Sequence, residues 1–261
     1  MSELSAERAR RGIVEYTGRL AGAAVAAGPG VIVPTAPEWT VGDLVAHVGQ
    51  TQHWVAEIVE RRITDPTQLP TELAAPPAGP GEWEVWLGDS ARRVAEACSN
   101  EALEAAVFNA AGDGRTGTAF WMTSMLNEAV VHGFDAANAA GAANAKVDGD
   151  IAAALISNHL AMLTSPTWKL QRPASAQAIR GTGQTLQWQA TDIAEAWYVE
   201  RRPDGAIWRP GSGQADVTVT GSAGSLLLAM TRRLPLTEAG SIDGDTGLAQ
   251  HWLDNTAHVT N

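Results

Sequence analysis

Glu128-Ala-Val-Val-His132-Gly-Phe-Asp135 is the stretch that decides the reading of the N-terminal half. On an α-helix each residue advances about 100°, so Glu128 and His132 lie about 40° apart around the axis and one turn apart along it. Asp135 falls on the same stripe, about 20° to the other side of Glu128. A carboxylate and an imidazole in this relation can chelate one divalent ion, as in helical Glu-x-x-His and His-x-x-x-His sites. Leu126, Val130 and Phe134 occupy the opposite arc, so the stripe also fits an ordinary solvated face. Trp121 and Met125 share the side of the acids and the histidine, which is closer to a pocket wall than to a wet surface. A third ligand must come from another segment. His47 is the natural candidate, at the margin of a helix whose buried arc is Leu44, Val48 and Val55, on the side shared with Trp54 and Ile58. A lone His there is more often a hydrogen-bonded border residue than a ligand. His53 and His159 remain candidates by residue type, while His251 and His258 are near the far terminus.

Outward from this stretch, the first half reads as helices. Residues 5–27 are rich in Ala, Glu, Arg and Leu and are stopped by Gly28-Pro29-Gly30. Ile-Val-Pro-Thr-Ala-Pro-Glu-Trp (32–39) is extended. Thr40 with Asp43 three residues on predicts a capped helix start, continuing to about residue 62. Residues 65–81 form a Pro/Gly-rich loop of a length associated with function or mobility. Helices are expected over about 82–105, 119–140 and 150–164, the last ending at Ser165-Pro166. Beyond residue 166 the pattern changes to short alternating segments at 185–189, 197–201, 206–209 and 216–220, with Pro203-Asp204-Gly205 as a hairpin turn and helices near 222–233 and from 245. The fold class expected is α+β in two domains: a helical bundle over 1–166, and over 167–261 a small, mainly antiparallel sheet with two helices.

Composition narrows the function. The 261 residues carry a net charge of -11, which opposes binding to a phosphate backbone and argues against a nucleic-acid partner. The single cysteine, Cys98, excludes an internal disulfide or a multi-thiolate metal site and suits a reducing compartment. It sits in what reads as a plain helix, where a free Cys is more often a small buried hydrophobe than a nucleophile. No apolar run is long enough to span a bilayer and no signal core opens the chain, so no membrane association and a cytoplasmic location are expected.

Two segments resemble a known family. Pro34-Thr-Ala-Pro-Glu-Trp-Thr-Val-Gly-Asp-Leu-Val-Ala-His47, continuing to Trp54, is similar to the first metal segment of mycothiol-dependent maleylpyruvate isomerases. Asn127-Glu-Ala-Val-Val-His-Gly-Phe-Asp-Ala-Ala-Asn-Ala-Ala-Gly141 is similar to their second. The resemblance implies a DinB-like four-helix bundle holding Zn2+ or another divalent metal through His47, Glu128 and His132, with Asp135 in support. Segments 191–206, 215–236 and 241–245 resemble the family's sterol-carrier-like C-terminal domain, whose Arg in the segment matching Met230–Leu236 binds the thiol or a substrate carboxylate. Arg233 aligns best and Arg232 adjoins it.

The resemblance implies an enzyme in which mycothiol, or another low-molecular-weight thiol, adds to a small electrophilic substrate. Two His and one Glu would leave a coordination position open, as in catalytic zinc sites. Cis–trans isomerisation and S-transfer are both compatible with such a site. Trp54 and Trp121 are the expected pocket walls, and a monomer or small homo-oligomer is expected. A non-catalytic small-molecule binding protein on the same scaffold is the alternative.

Overall fold

A computed structural model describes residues 4–142 and 146–256. Among them, packing sorts the chain into two compact units: residues 5–110 with 114–142, and residues 146–256 with residue 4 and 111–113. His258 lies outside the described residues.

The first unit is a four-helix bundle. Its long helices are α1 (Ala6–Ala27), α2 (Val41–Glu60), α3 (Trp83–Ala97) and α5 (Gly117–Ala139), with a short α4 (Asn100–Leu103) between the last two. Helix α1 packs on α3 and α5, and α2 packs on the same two, which closes a ring around one core. The Pro/Thr/Trp segment expected to be extended forms a small antiparallel hairpin, β1 (Ile32–Val33) and β2 (Ala36–Thr40), with Pro34 and Thr35 at its turn. The hairpin delivers the chain directly into α2. There Thr40 Oγ1 accepts from the Asp43 amide and the Asp43 carboxylate accepts from the Thr40 amide, the expected cap in full.

Two details depart from expectation. The helix expected over about 82–105 breaks at Cys98 and Ser99, because Ser99 caps the amide of Ala102 and starts α4 as a separate turn. The 65–81 loop is tied down: it carries 3-10 turns at Pro66–Gln68 and Pro80–Glu82, and its Pro70 and Ala74 carbonyls accept from Trp54 Nε1 at 2.9 Å and Gln50 Nε2 at 3.1 Å.

The second unit is α+β. It begins with α6 (Gly149–Leu163), α7 (Pro166–Gln171) and α8 (Pro173–Ala178). Packing thus groups Gly149–Leu163 with the C-terminal unit, although the sequence pattern changes only after residue 166. A five-stranded sheet follows: β3 (Thr185–Ala190), β4 (Ala196–Arg202), β5 (Gly205–Pro210), β6 (Val217–Gly221) and, after α9 (Ala223–Met230) and α10 (Leu236–Ala239), β7 (Ser241–Gly244). The order is β5-β4-β3-β6-β7, and α11 (Thr246–Thr256) completes the unit. The β4–β5 hairpin turns at Pro203-Asp204 as expected, but the sheet is mixed, because β3 and β6 run parallel. Helix α9 covers β3 and β6, and α6 packs on α9. Trp188, Trp197 and Trp252 fill this core, so three of the chain's ten tryptophans serve packing here.

Candidate metal centre

Helix α5 brings Glu128, His132 and Asp135 onto one stripe, and α2 brings His47 to face it. His47 Nε2 lies 2.9 Å and His132 Nε2 3.2 Å from the same carboxylate oxygen of Glu128. One ligand atom from each of His47, Glu128 and His132 falls within 4.8 Å of the others. The other nitrogen of His132, Nδ1, is 2.8 Å from Asp135 Oδ2, while Asp135 Oδ1 accepts from the Thr35 hydroxyl at 2.5 Å. Trp39, on β2, packs its ring against both imidazoles, with centroids 4.8 Å from His47 and 5.9 Å from His132.

Burial argues against a solvated face. The Asp135 side chain is fully buried and that of His132 is 10% exposed. Burial pushes Glu128 up, but the hydrogen bonds to His132 and His47 outweigh it and hold the carboxyl well below the usual range. Burial alone would lower His132, yet the carboxylates of Asp135 and Glu128 outweigh it and raise the imidazole to about 9. In the metal-free chain the cluster therefore holds a proton on His132 between two carboxylates. A divalent cation would replace the proton on Nε2 and leave the one on Nδ1 with Asp135.

The donor set fits such an ion. Two imidazole Nε2 atoms and a carboxylate converge, and the far nitrogen of His132 is held by a carboxylate, the arrangement that orients metal-binding histidines. Among the described residues this is the cluster with metal-ligating geometry. The other candidate histidines are elsewhere. His53 meets the Trp86 ring and Arg93, His159 is buried on α6 in the C-terminal unit, and His251 lies 2.9 Å from the Ala178 carbonyl.

Trp54 and Trp121 pack edge to face at 5.4 Å. Each lies seven residues from a member of the cluster, Trp54 after His47 and Trp121 before Glu128, so α2 and α5 run antiparallel. The tryptophan pair forms a layer about 10 Å along the bundle from the cluster. Both indole N–H groups are committed, to the carbonyls of Pro70 and Phe108. Cys98 is buried, which pushes its thiol up to about 12 and leaves it un-ionised at neutral pH.

Arg233 lies in the C-terminal unit, just past α9. There the Arg233 amide bonds the Leu228 carbonyl and the Arg232 amide that of Ala229, a Schellman closure with Arg232 in the left-handed region at φ 61°. The Arg233 guanidinium donates to the Thr231 carbonyl at 2.8 Å. Both arginines line a cavity of about 380 Å³ with Thr246 and Gln250.

Thr35 and Trp39 are the site residues that sequence reasoning missed. They stand in the first resembling segment, but nothing in the spacing shows that a turn residue would meet a carboxylate 100 positions away.

Residues 10–137 match the family described as the mycothiol maleylpyruvate isomerase N-terminal domain, and residues 167–254 match the SCP-2 sterol transfer family. A solved structure described as the mycothiol-dependent maleylpyruvate isomerase is 17% identical, with a TM-score of 0.55, covering 90% of this chain and 93% of that one. Another, described as UbiJ-SCP2 ubiquinone synthesis protein, is 17% identical with a TM-score of 0.29, covering 40% of this chain and 84% of that one. No curated protein matches the chain. Fold and site define a two-domain protein, a helical bundle bearing a His–Glu–His cluster followed by an SCP-2-like α+β domain. The chain belongs to the mycothiol-dependent maleylpyruvate isomerase family. That family points to mycothiol-dependent isomerase-type function. No helix among the described residues is long and apolar enough to cross a membrane.

Proposed function

We propose that this protein is a divalent-metal enzyme that uses mycothiol, or a related small thiol, to isomerise a small electrophilic substrate or to transfer the thiol to it. The observation that carries the reading is the convergence of His47 Nε2, His132 Nε2 and the Glu128 carboxylate, with His132 Nδ1 anchored by buried Asp135. His47, Glu128 and His132 would hold the ion. When bound, zinc or a similar cation would favour the thiolate form of a thiol at neutral pH.

The chain's own residues do the rest. Asp135 holds the proton on His132 Nδ1 and so keeps the Nε2 lone pair for the ligand side. Glu128 supplies negative charge between the two imidazoles, and Trp39 lies against both rings, with His132 buried and His47 partly open to solvent. Arg233, which the family resemblance singles out, is the candidate to bind an anionic group of the thiol or substrate.

The isomerisation balances without a redox partner. The thiolate sulfur adds to one carbon of a conjugated cis double bond, and the electron pair moves into the adjoining carbonyl as an enolate. The former double bond rotates, the enolate pair re-forms it, and the carbon–sulfur bond breaks to return the thiolate and the trans isomer. Protonation of the adduct instead would give an S-conjugate.

Metal analysis of wild type and His132→Ala, together with calorimetric titration of mycothiol, tests the reading. One divalent ion per chain in wild type, its loss in the variant, and thiol binding that EDTA abolishes are expected. A wild type that binds no divalent ion, or binds mycothiol equally well in EDTA, overturns it.

A further inference from the structure

We propose that Thr35 is a positioning residue for the metal centre: its hydroxyl fixes the Asp135 carboxylate, and through it the His132 imidazole, in the orientation that aims Nε2 at the cluster. This rests on the reading of His47, Glu128 and His132 as a metal site.

The Asp135 carboxylate is fully buried, which is costly unless its oxygens are hydrogen-bonded. Oδ2 faces His132 Nδ1 at 2.8 Å, and Oδ1 takes the Thr35 hydroxyl at 2.5 Å. Hydrogen bonds on both oxygens hold the carboxylate plane against rotation about χ2, and with it the imidazole that faces Oδ2. The Thr35 hydroxyl supplies the bond on Oδ1. Thr35 has one hydroxyl proton to give, and giving it to Asp135 sets the Thr35 rotamer as well.

The turn that carries Thr35 is itself fixed. Pro34, beside it in the turn, has a restricted φ. Val33 is buried in the bundle core with Leu20, Leu44 and Ala136. The Val41 and Gly42 amides donate to the Val31 and Pro29 carbonyls, tying the hairpin to the first turn of α2. His47 stands less than two turns further along that helix. The hairpin thus joins the two helices that supply ligands: its backbone is fastened to α2, its Thr35 hydroxyl reaches α5, and Trp39 lies against both rings.

Thr35→Val keeps the side chain's shape and removes only the hydroxyl, while Thr35→Ser restores it. Zinc affinity is read by competition with a chromophoric chelator, and geometry by the visible d–d spectrum of the cobalt-substituted protein. Thr35→Val is expected to bind zinc about 10- to 100-fold more weakly, the usual effect of losing a partner behind a metal-binding histidine, with an altered cobalt spectrum. Thr35→Ser is expected to restore both.

A metal-free readout separates the two claims. In EDTA, the His132 Nδ1–H proton resonance of wild type is expected downfield and slow to exchange, and in Thr35→Val it should move and exchange faster. Unchanged affinity and cobalt spectrum in Thr35→Val, an unchanged resonance, or a Ser variant as impaired as Val overturns the role of Thr35. A wild type that takes up no metal but shows the Thr35-dependent resonance overturns the metal reading and the role built on it, leaving only a structural contact.

Discussion

Replacing Glu128 by Gln in the metal-free protein is expected to remove much of a pH dependence that the cluster imposes on stability. His132 is raised from 6.5 to about 9 on folding, chiefly because the Asp135 and Glu128 carboxylates outweigh its burial. Such a group stabilises the fold fully below pH 6.5 and loses that contribution as pH rises through about 9. The full effect is on the order of 3 kcal/mol at acid to neutral pH. Glu128 is one of two carboxylates responsible, so Glu128→Gln should cut the loss between pH 6 and pH 9 to roughly half. Urea denaturation of both proteins in EDTA at the two pH values measures this. Zinc should reverse the trend, since binding requires neutral imidazoles and releases the His132 proton, so the stabilisation it adds grows with pH over the same window. Wild-type stability that does not fall between pH 6 and 9 in EDTA would refute the account, as would a Gln variant that keeps the whole pH dependence.

Other expectations follow from individual contacts. Native Cys98 should resist alkylation at pH 8 and react only after denaturation, because burial pushes its thiol up to about 12. A Cβ at Gly49 would sit 2.1 Å from the Trp86 ring, so Gly49→Ala should displace that ring and cost about 1–3 kcal/mol in urea denaturation. Arg232 holds a positive φ at the end of α9, so Arg232→Gly should stabilise the protein by about 1 kcal/mol by relieving the steric penalty, seen as a higher denaturation midpoint. Trp54→Phe removes the N–H that holds Pro70, and limited proteolysis should then cut within residues 65–81 faster than in wild type.

The signals that the sequence determined are local ones. Thr40 and Asp43 mark the start of α2 because a cap is a relation across three residues. Glu128, His132 and Asp135 share a face because helical geometry alone places positions four and seven apart together. The hairpin turn at Pro203-Asp204 was legible for the same reason. What tertiary structure decided involves partners distant in the chain. Residue type left His47, His53 and His159 open, and the antiparallel packing of α2 against α5 brings His47 to Glu128. The parallel pairing of β3 with β6 was hidden because alternation shows which face of a strand is buried and not which strand lies beside it. Thr35 and Trp39 acquire their places only when the β1–β2 hairpin folds onto α5, and no periodicity in one segment records a contact made by another.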